Sequence, residues 1–283
     1  MRLGIHIPLK GGFEKNARRA VDLGCDTIQM FAGNPTAWKP AGTDPQVLKK
    51  RGELLKNLGI RPVVIHMAYL ANLASPQEDF FQKSLLLLRD TMYKASCYGA
   101  PFVVVHMGNH RGEGVDRGLN ILLRTLEQEM KDFPPGVNLL LENTPGGGRE
   151  LGGDLEHFRT VFQALPGKDI PLGICLDTAH AWCAGYDLSG ADKAALFLDR
   201  FEKIVGLEKL KVMHVNDTLS PLGSHRDLHA HLGQGLLKEG FPTILQHSWP
   251  AFFPFILETP EIGTEMDRVN LEALKKAASE KVV

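Results

Sequence analysis

The chain has 283 residues and a net charge of −1, from 32 basic and 33 acidic side chains, with 43% hydrophobic and 23% charged residues. That length buries a sizeable core without disulfide or metal staples, and that balance excludes a disordered, collagen-like or coiled-coil chain. No strongly basic tail announces nucleic acid, no apolar run is long enough to span a bilayer, and the N-terminus turns polar and glycine-rich before an export signal could form, so a cytoplasmic setting is expected.

Eight short apolar runs order the chain. Leu3–Ile7 is followed by a helical pattern over Phe13–Leu23, then Thr27–Phe31 by Pro45–Leu58, and Pro62–Met67 by Glu78–Tyr98. Phe102–Met107 precedes Val115–Lys131, Val137–Asn143 precedes Leu155–Leu165, and Pro171–Thr178 precedes Ala191–Val205. Leu210–Asp217 and Phe253–Thr259 come last, with Glu261–Glu280 expected to cover the final strand. The runs are continuous rather than alternating, as in parallel strands covered on both faces. Asp44-Pro45 and Ser75-Pro76 both read as an N-cap followed by proline in the first helical position. Repeated strand-then-helix units in this length predict a single-domain α/β fold, a (β/α)8 TIM barrel over residues 1–283. A doubly wound open sheet is the alternative, but Gly11-Gly12 does not make the glycine fingerprint it would want. Cys25, Cys97, Cys175 and Cys183 contain no C-x-x-C pair and read as buried free thiols.

Reacting groups in such a barrel stand at the carboxyl ends of the strands. Six consecutive strands finish on His66, His106, Glu142, Asp177, His214 and Glu258. Barrel closure would aim all six at one small volume. His180 follows Asp177 by three residues, and Asp227-Leu228-His229 lies in a polar loop beyond strand seven. Four carboxylates in one cavity repel unless cations balance them. Five histidines and four carboxylates exceed the ligand set of one catalytic zinc and suit two or three divalent ions. Imidazole with carboxylate favours Zn2+, with Mn2+ or Fe2+ as alternatives, and such centres recur in phosphate-ester hydrolysis.

The chain resembles the endonuclease IV family of apurinic/apyrimidinic DNA endonucleases. The matching pieces run almost end to end: His66 to Ala74, Val105 to His110, Leu141 to Thr144, Cys175 to Ala181, Ala184 to Leu188, His214 to Asp217, Gly223 to His229 and Ile256 to Thr259. The resemblance implies a zinc-dependent barrel with three ions. His66, His106 and Glu142 would hold one; Glu142 would bridge to a second with Asp177, His214 and Glu258; His180, Asp227 and His229 would hold the third. It implies incision of double-stranded DNA 5′ to an abasic site, with a metal-held hydroxide as nucleophile placed by Glu142. Tyr69, Asn34, Trp38 and Arg226 fall on positions expected to face DNA. Lys39, Arg111 and Arg149 would join Arg226 in a local basic rim, and His6 would support the ligands from behind. A monomer without an obligate protein partner is the expectation for a chain that must embrace duplex DNA, and no membrane partner is expected.

Departures from the family pattern fall beside the ligands rather than on them. Thr36 stands where arginine is expected, Met107 replaces a proline, Gly147 a glutamine, and His225 and Leu228 two arginines. Two other readings follow from the same residues. One is a xylose-isomerase-like sugar isomerase or epimerase using one or two divalent metals, for which the Asp227/His229 arm would be excess. The other is a DNA-binding relative that keeps its metals without turnover.

Overall fold

The computed structural model describes residues 1–165 and 170–280. Eight strands close into a parallel barrel: β1 (Arg2–His6), β2 (Thr27–Phe31), β3 (Val63–His66), β4 (Phe102–His106), β5 (Asn138–Glu142), β6 (Leu172–Asp177), β7 (Leu210–His214) and, numbered after the short pair described below, β10 (Pro254–Leu257), which pairs back onto β1. Helices α1 (Phe13–Asp22), α2 (Pro45–Asn57), α3 (Glu78–Tyr98), α4 (Val115–Glu129), α5 (Leu155–Ala164), α7 (Ala191–Ile204), α8 (Phe241–Gln246) and α9 (Met266–Ser279) lie between and after the strands, with α6 (Thr178–Cys183) starting directly on the end of β6. The expected barrel is therefore the observed one. No helix among the described residues is long and apolar enough to cross a membrane.

Local expectations fare unevenly. Asp44 does cap α2, its carboxylate accepting from the Gln46 amide at 2.8 Å. Ser75 caps no helix: its hydroxyl accepts from the Gln77 amide at 3.2 Å in a bend, and α3 begins only at Glu78. The seventh strand stops at His214, and Asp217 belongs to a separate antiparallel pair, β8 (Asp217–Thr218) with β9 (His229–Ala230). Finally α6 and α8, each six residues, carry too few turns to show a helical period in the sequence.

The barrel interior explains the placement of the site. Val64, Val104, Leu140, Cys175, Val212 and Ile256 form a closed apolar cluster of their own, with Phe102 packed against it. Side chains on one face of a strand recur every two residues. Two residues beyond these six stand His66, His106, Glu142, Asp177, His214 and Glu258. The apolar layer is thus a plug, and the donors are the next layer above it. In β1 and β2 the matching places are held by His6 and Gln29, 4% and 0% exposed. Below them Gly4 is required, because a Cβ there would fall onto the Thr27 carbonyl.

Candidate metal centre

Glu142 lies at the centre of the donor layer and is fully buried. Its Oε2 is 3.1 Å from His66 Nε2 and 3.2 Å from His106 Nε2, while its Oε1 is 2.7 Å from His214 Nδ1. His214 Nδ1 also lies 3.0 Å from Glu258 Oε2 and 3.9 Å from Asp177 Oδ2. His180 Nε2 is 3.3 Å from Asp227 Oδ2, and His229 Nε2 is 3.2 Å from Asp227 Oδ1 and 3.6 Å from Asp177 Oδ2. All nine side chains singled out at the strand ends and in the Asp227 loop converge on one site. They fall into overlapping groups: His66/His106/Glu142, Glu142/Asp177/His214/Glu258, and Asp177/His180/His229 beside Asp227.

Local structure aims each donor. Asp177 caps α6, accepting from the His180 amide at 2.9 Å, so that His180 returns toward the barrel one turn later. The Asp227 loop is held by Asp217, whose carboxylate accepts from the amides of Gly233, Gly235 and Leu237 at 2.9–3.1 Å. Pairing of Thr218 with His229 across β8 and β9, together with the bond from Thr218 Oγ1 to the Leu228 carbonyl at 2.7 Å, folds the loop back over the mouth.

The imidazoles are oriented from behind. His66, His180 and His229 each place Nδ1 2.7–2.8 Å from a backbone carbonyl, those of Met67, Asn143 and Glu258. With Nδ1 donating, Nε2 carries the lone pair toward the site. His214 is turned the other way: Nε2 meets Gln29 Oε1 at 2.8 Å, and Nδ1 faces the carboxylates. His180 Nε2 and His229 Nε2 are buried and make no well-aligned hydrogen bond, the Asp227 oxygens standing 3.3 and 3.2 Å away. Buried nitrogens that lack one are costly unless something else satisfies them. Oriented imidazoles among carboxylates are the donor set a divalent cation takes, so these residues fit metal ions.

The charges respond accordingly. Burial opposes ionisation of Glu142, yet His214 and His106 hold its carboxyl well below the ordinary range. Glu258 is held low in the same way, chiefly by His214. Burial would neutralise His180, but Asp177 and Asp227 push it well above its ordinary value, and the same two carboxylates raise His229 to about 9. Without metal, protons supply the positive charge that the carboxylates demand. Cys175 lies against Glu142 and His214, but burial pushes its thiol up to about 12, so it stays protonated as part of the plug.

Amides complete the site, at positions that the strand-end pattern does not mark. Gln29 Nε2 donates to Glu258 Oε1 at 2.6 Å, with His6 Nδ1 at 3.1 Å. Asn216 Nδ2 donates to Asp177 Oδ2 at 2.6 Å. The usable signal for Gln29 was a polar residue inside the apolar run Thr27–Phe31, at the inward position of the strand.

Above the donors a cavity of about 390 Å³ is walled by Phe31, Tyr69, Leu228, Pro260 and Ile262. A larger cavity of about 900 Å³ at the opposite end of the barrel, around Arg2, Lys56, Arg61 and Phe252, has none of these donor groups. Tyr69 is 57% exposed and its ring stands 5.5 Å from that of His66. Partial burial and the carboxylates of Glu258 and Glu142 push its phenol up. Asn34 is exposed, with Oδ1 taken by the Thr36 amide at 3.0 Å. Trp38 is half-buried against Phe80, and Arg226 is exposed in the Asp227 loop.

Comparison with known proteins bears on this geometry. The family model described as a xylose isomerase-like TIM barrel matches residues 17–278. A protein of Natranaerobius thermophilus named "Probable endonuclease 4" is 46% identical, over 98% of this chain and 97% of its own. The crystal structure of endonuclease IV from Thermus thermophilus superposes with a TM-score of 0.85 at 36% identity, over 99% of this chain and all of that one. A D-tagatose 3-epimerase-like protein shares the fold at 20% identity and a TM-score of 0.74, covering 98% of this chain and 97% of its own.

Proposed function

The chain belongs to the endonuclease IV family of xylose isomerase-like TIM barrels, and from that premise we propose that it is a single-domain, metal-dependent endodeoxyribonuclease that incises double-stranded DNA 5′ to abasic sites and leaves a 3′-hydroxyl. The observation that carries this reading is the convergence of nine donors, two of them buried imidazole nitrogens that make no well-aligned hydrogen bond, beneath an open cavity. His66, His106 and Glu142 would hold one zinc, Glu142 with Asp177, His214 and Glu258 a second, and His180, Asp227 and His229 a third. When bound, the ions supply Lewis acidity: an activated water as nucleophile, and charge stabilisation for the phosphate and its departing oxygen.

The residues of the chain do the rest. Glu142, the one carboxylate facing histidines of all three groups, places the attacking water and takes no covalent part. Phe31, Tyr69, Leu228 and Ile262 wall the cavity that would receive the reacting sugar. An abasic sugar turned out of the duplex enters at low cost, because no base must be unstacked. Asn34, Trp38, Tyr69 and Arg226 line the approach and contact the DNA. The protein acts as a cytoplasmic monomer on this reading. The Asp227/His229 arm supports it over a sugar isomerase with one or two metals.

The test is a duplex carrying one abasic site. Chelation should abolish its incision, and added zinc should restore it. Equal cutting of undamaged duplex would remove the damage specificity from the proposal.

A further inference from the structure

The loop that carries Asp227 is tied down on both sides of that residue. Beyond Asp227 the ties are the pairing of β8 with β9 and the amides gathered by Asp217. Before it, the tie is His225. The His225 amide donates to the Cys183 carbonyl at 2.9 Å. Its imidazole Nδ1 stands 2.7 Å from the Pro145 carbonyl. A carbonyl only accepts, so Nδ1 carries the proton and donates.

Both acceptors lie on segments that place His180. Cys183 is the last residue of α6, the helix that carries His180. Pro145 stands two residues after Asn143, whose carbonyl accepts from His180 Nδ1 at 2.8 Å. His225 therefore joins the Asp227 loop to the two pieces of backbone that fix the imidazole opposite Asp227. Asp227 depends on such a link. Its side chain is 50% exposed, and among the described residues its carboxylate meets only His180 Nε2 at 3.3 Å and His229 Nε2 at 3.2 Å. Its distance from His180 is thus set by where the loop is pinned.

The backbone is shaped for the same link. His225 sits at φ 55°, in the left-handed region that a residue with a Cβ adopts at a cost. The loop after β5 leaves it room, because a Cβ on Gly147 would come within 3.1 Å of the His225 carbonyl. Gly147 and His225 are two of the positions at which this chain departs from the family pattern, and they are neighbours in space.

We propose that His225 is a positioning residue for the third metal: by bridging the Cys183 and Pro145 carbonyls it fixes Asp227 against His180, and glycine at position 147 gives it room. This rests on the three-ion reading of the site. His225 supplies no ligand itself, and the donor groups around Glu142 do not depend on it.

The experiment counts metal ions per chain, and draws them off with a competing chelator, in wild type, His225→Gly and His225→Asn. Leu222→Ala, at an exposed position of the same loop, serves as control. Glycine accepts the left-handed backbone and deletes the imidazole alone. Asparagine tolerates that backbone and places an N–H donor two bonds beyond Cβ, as the imidazole does. Outer partners of metal ligands govern affinity by about 10- to 100-fold. One ion of three should therefore leave His225→Gly at a chelator concentration lower by roughly that factor, while the other two ions and the circular dichroism match wild type. His225→Asn and Leu222→Ala should hold the third ion as wild type does. Three ions held equally by wild type and His225→Gly would overturn the role of His225 and leave the three-ion centre standing. A third ion lost from His225→Asn as readily as from His225→Gly would overturn it too, since the donor would then not be what holds the loop. Fewer than three ions in the wild type would remove the third site itself, and this role of His225 with it.

Discussion

The residues that orient the donors carry consequences of their own. Gln29 makes no claim to a metal, yet it touches His214, Glu258 and His6 at once. Outer partners of this kind typically govern metal affinity by about 10- to 100-fold. Gln29→Ala should therefore release metal to a competing chelator at a lower chelator concentration, by a factor in that range, while the circular dichroism of the barrel stays unchanged; unaltered affinity would remove Gln29 from the site. The pH response follows from the histidines. In metal-free protein His229 titrates at about 9 against an ordinary 6.5, so the folded state holds its proton more tightly. That stabilisation is complete below pH 6.5 and is lost as the pH rises through 9. His180 and His214 shift in the same direction. The lowered carboxylates act only on acidification, outside this window. Chelated protein should melt at progressively lower temperature between pH 6.5 and 9. Metal binding carries the opposite sign, because imidazole must give up its proton to bind, and loading should improve over the same range. A melting temperature of chelated protein that rises with pH would contradict the charge assignment.

At the scale of elements, each strand does two tasks two residues apart. Leu140 fills the plug and Glu142 the layer above it, on one strand and one face. The donor geometry therefore depends on the plug. Leu140 is fully buried, and Leu140→Ala should cost about 2–5 kcal/mol in urea denaturation, through lost burial and the cavity left behind; a loss well under about 1 kcal/mol would mean the interior collapses freely and the donors are not rigidly held. The same two-residue repeat explains what was legible in the sequence. Strand ends such as Val104-Val105-His106 announce themselves as an apolar run closing on a charged or imidazole side chain. Gln29 and Asn216 do not, because an amide inside or after a strand has many ordinary uses. Asp227 and His229 could be named but not placed. Their position depends on β8 pairing β9 and on Asp217 gathering three amides, contacts that no local pattern encodes. Ser75 misled for a related reason: Ser-Pro favours a turn as readily as a helix start.

Across the whole molecule, apolar plug, donor layer and walled cavity follow one another from the barrel interior outward. The cavity at the other end is larger, yet the chemistry gathers at the carboxyl ends of the strands, as the fold dictates. Of the departures from the family pattern, Thr36, Gly147, His225 and Leu228 lie in loops around the mouth, and Met107 is buried directly after His106. The donors beneath are complete. The chain is therefore expected to share the relatives' metal chemistry and to differ in how it grips its substrate.

Whether the centre holds three metals on nine donors is decided by counting metal ions per chain in protein purified without chelator, wild type beside Asp227→Ala and His229→Ala. About three ions, mainly zinc, are expected in the wild type and about two in either variant. One or two ions in the wild type, unchanged in the variants, would mean that the Asp227 loop holds no metal and that the centre is not built from nine donors.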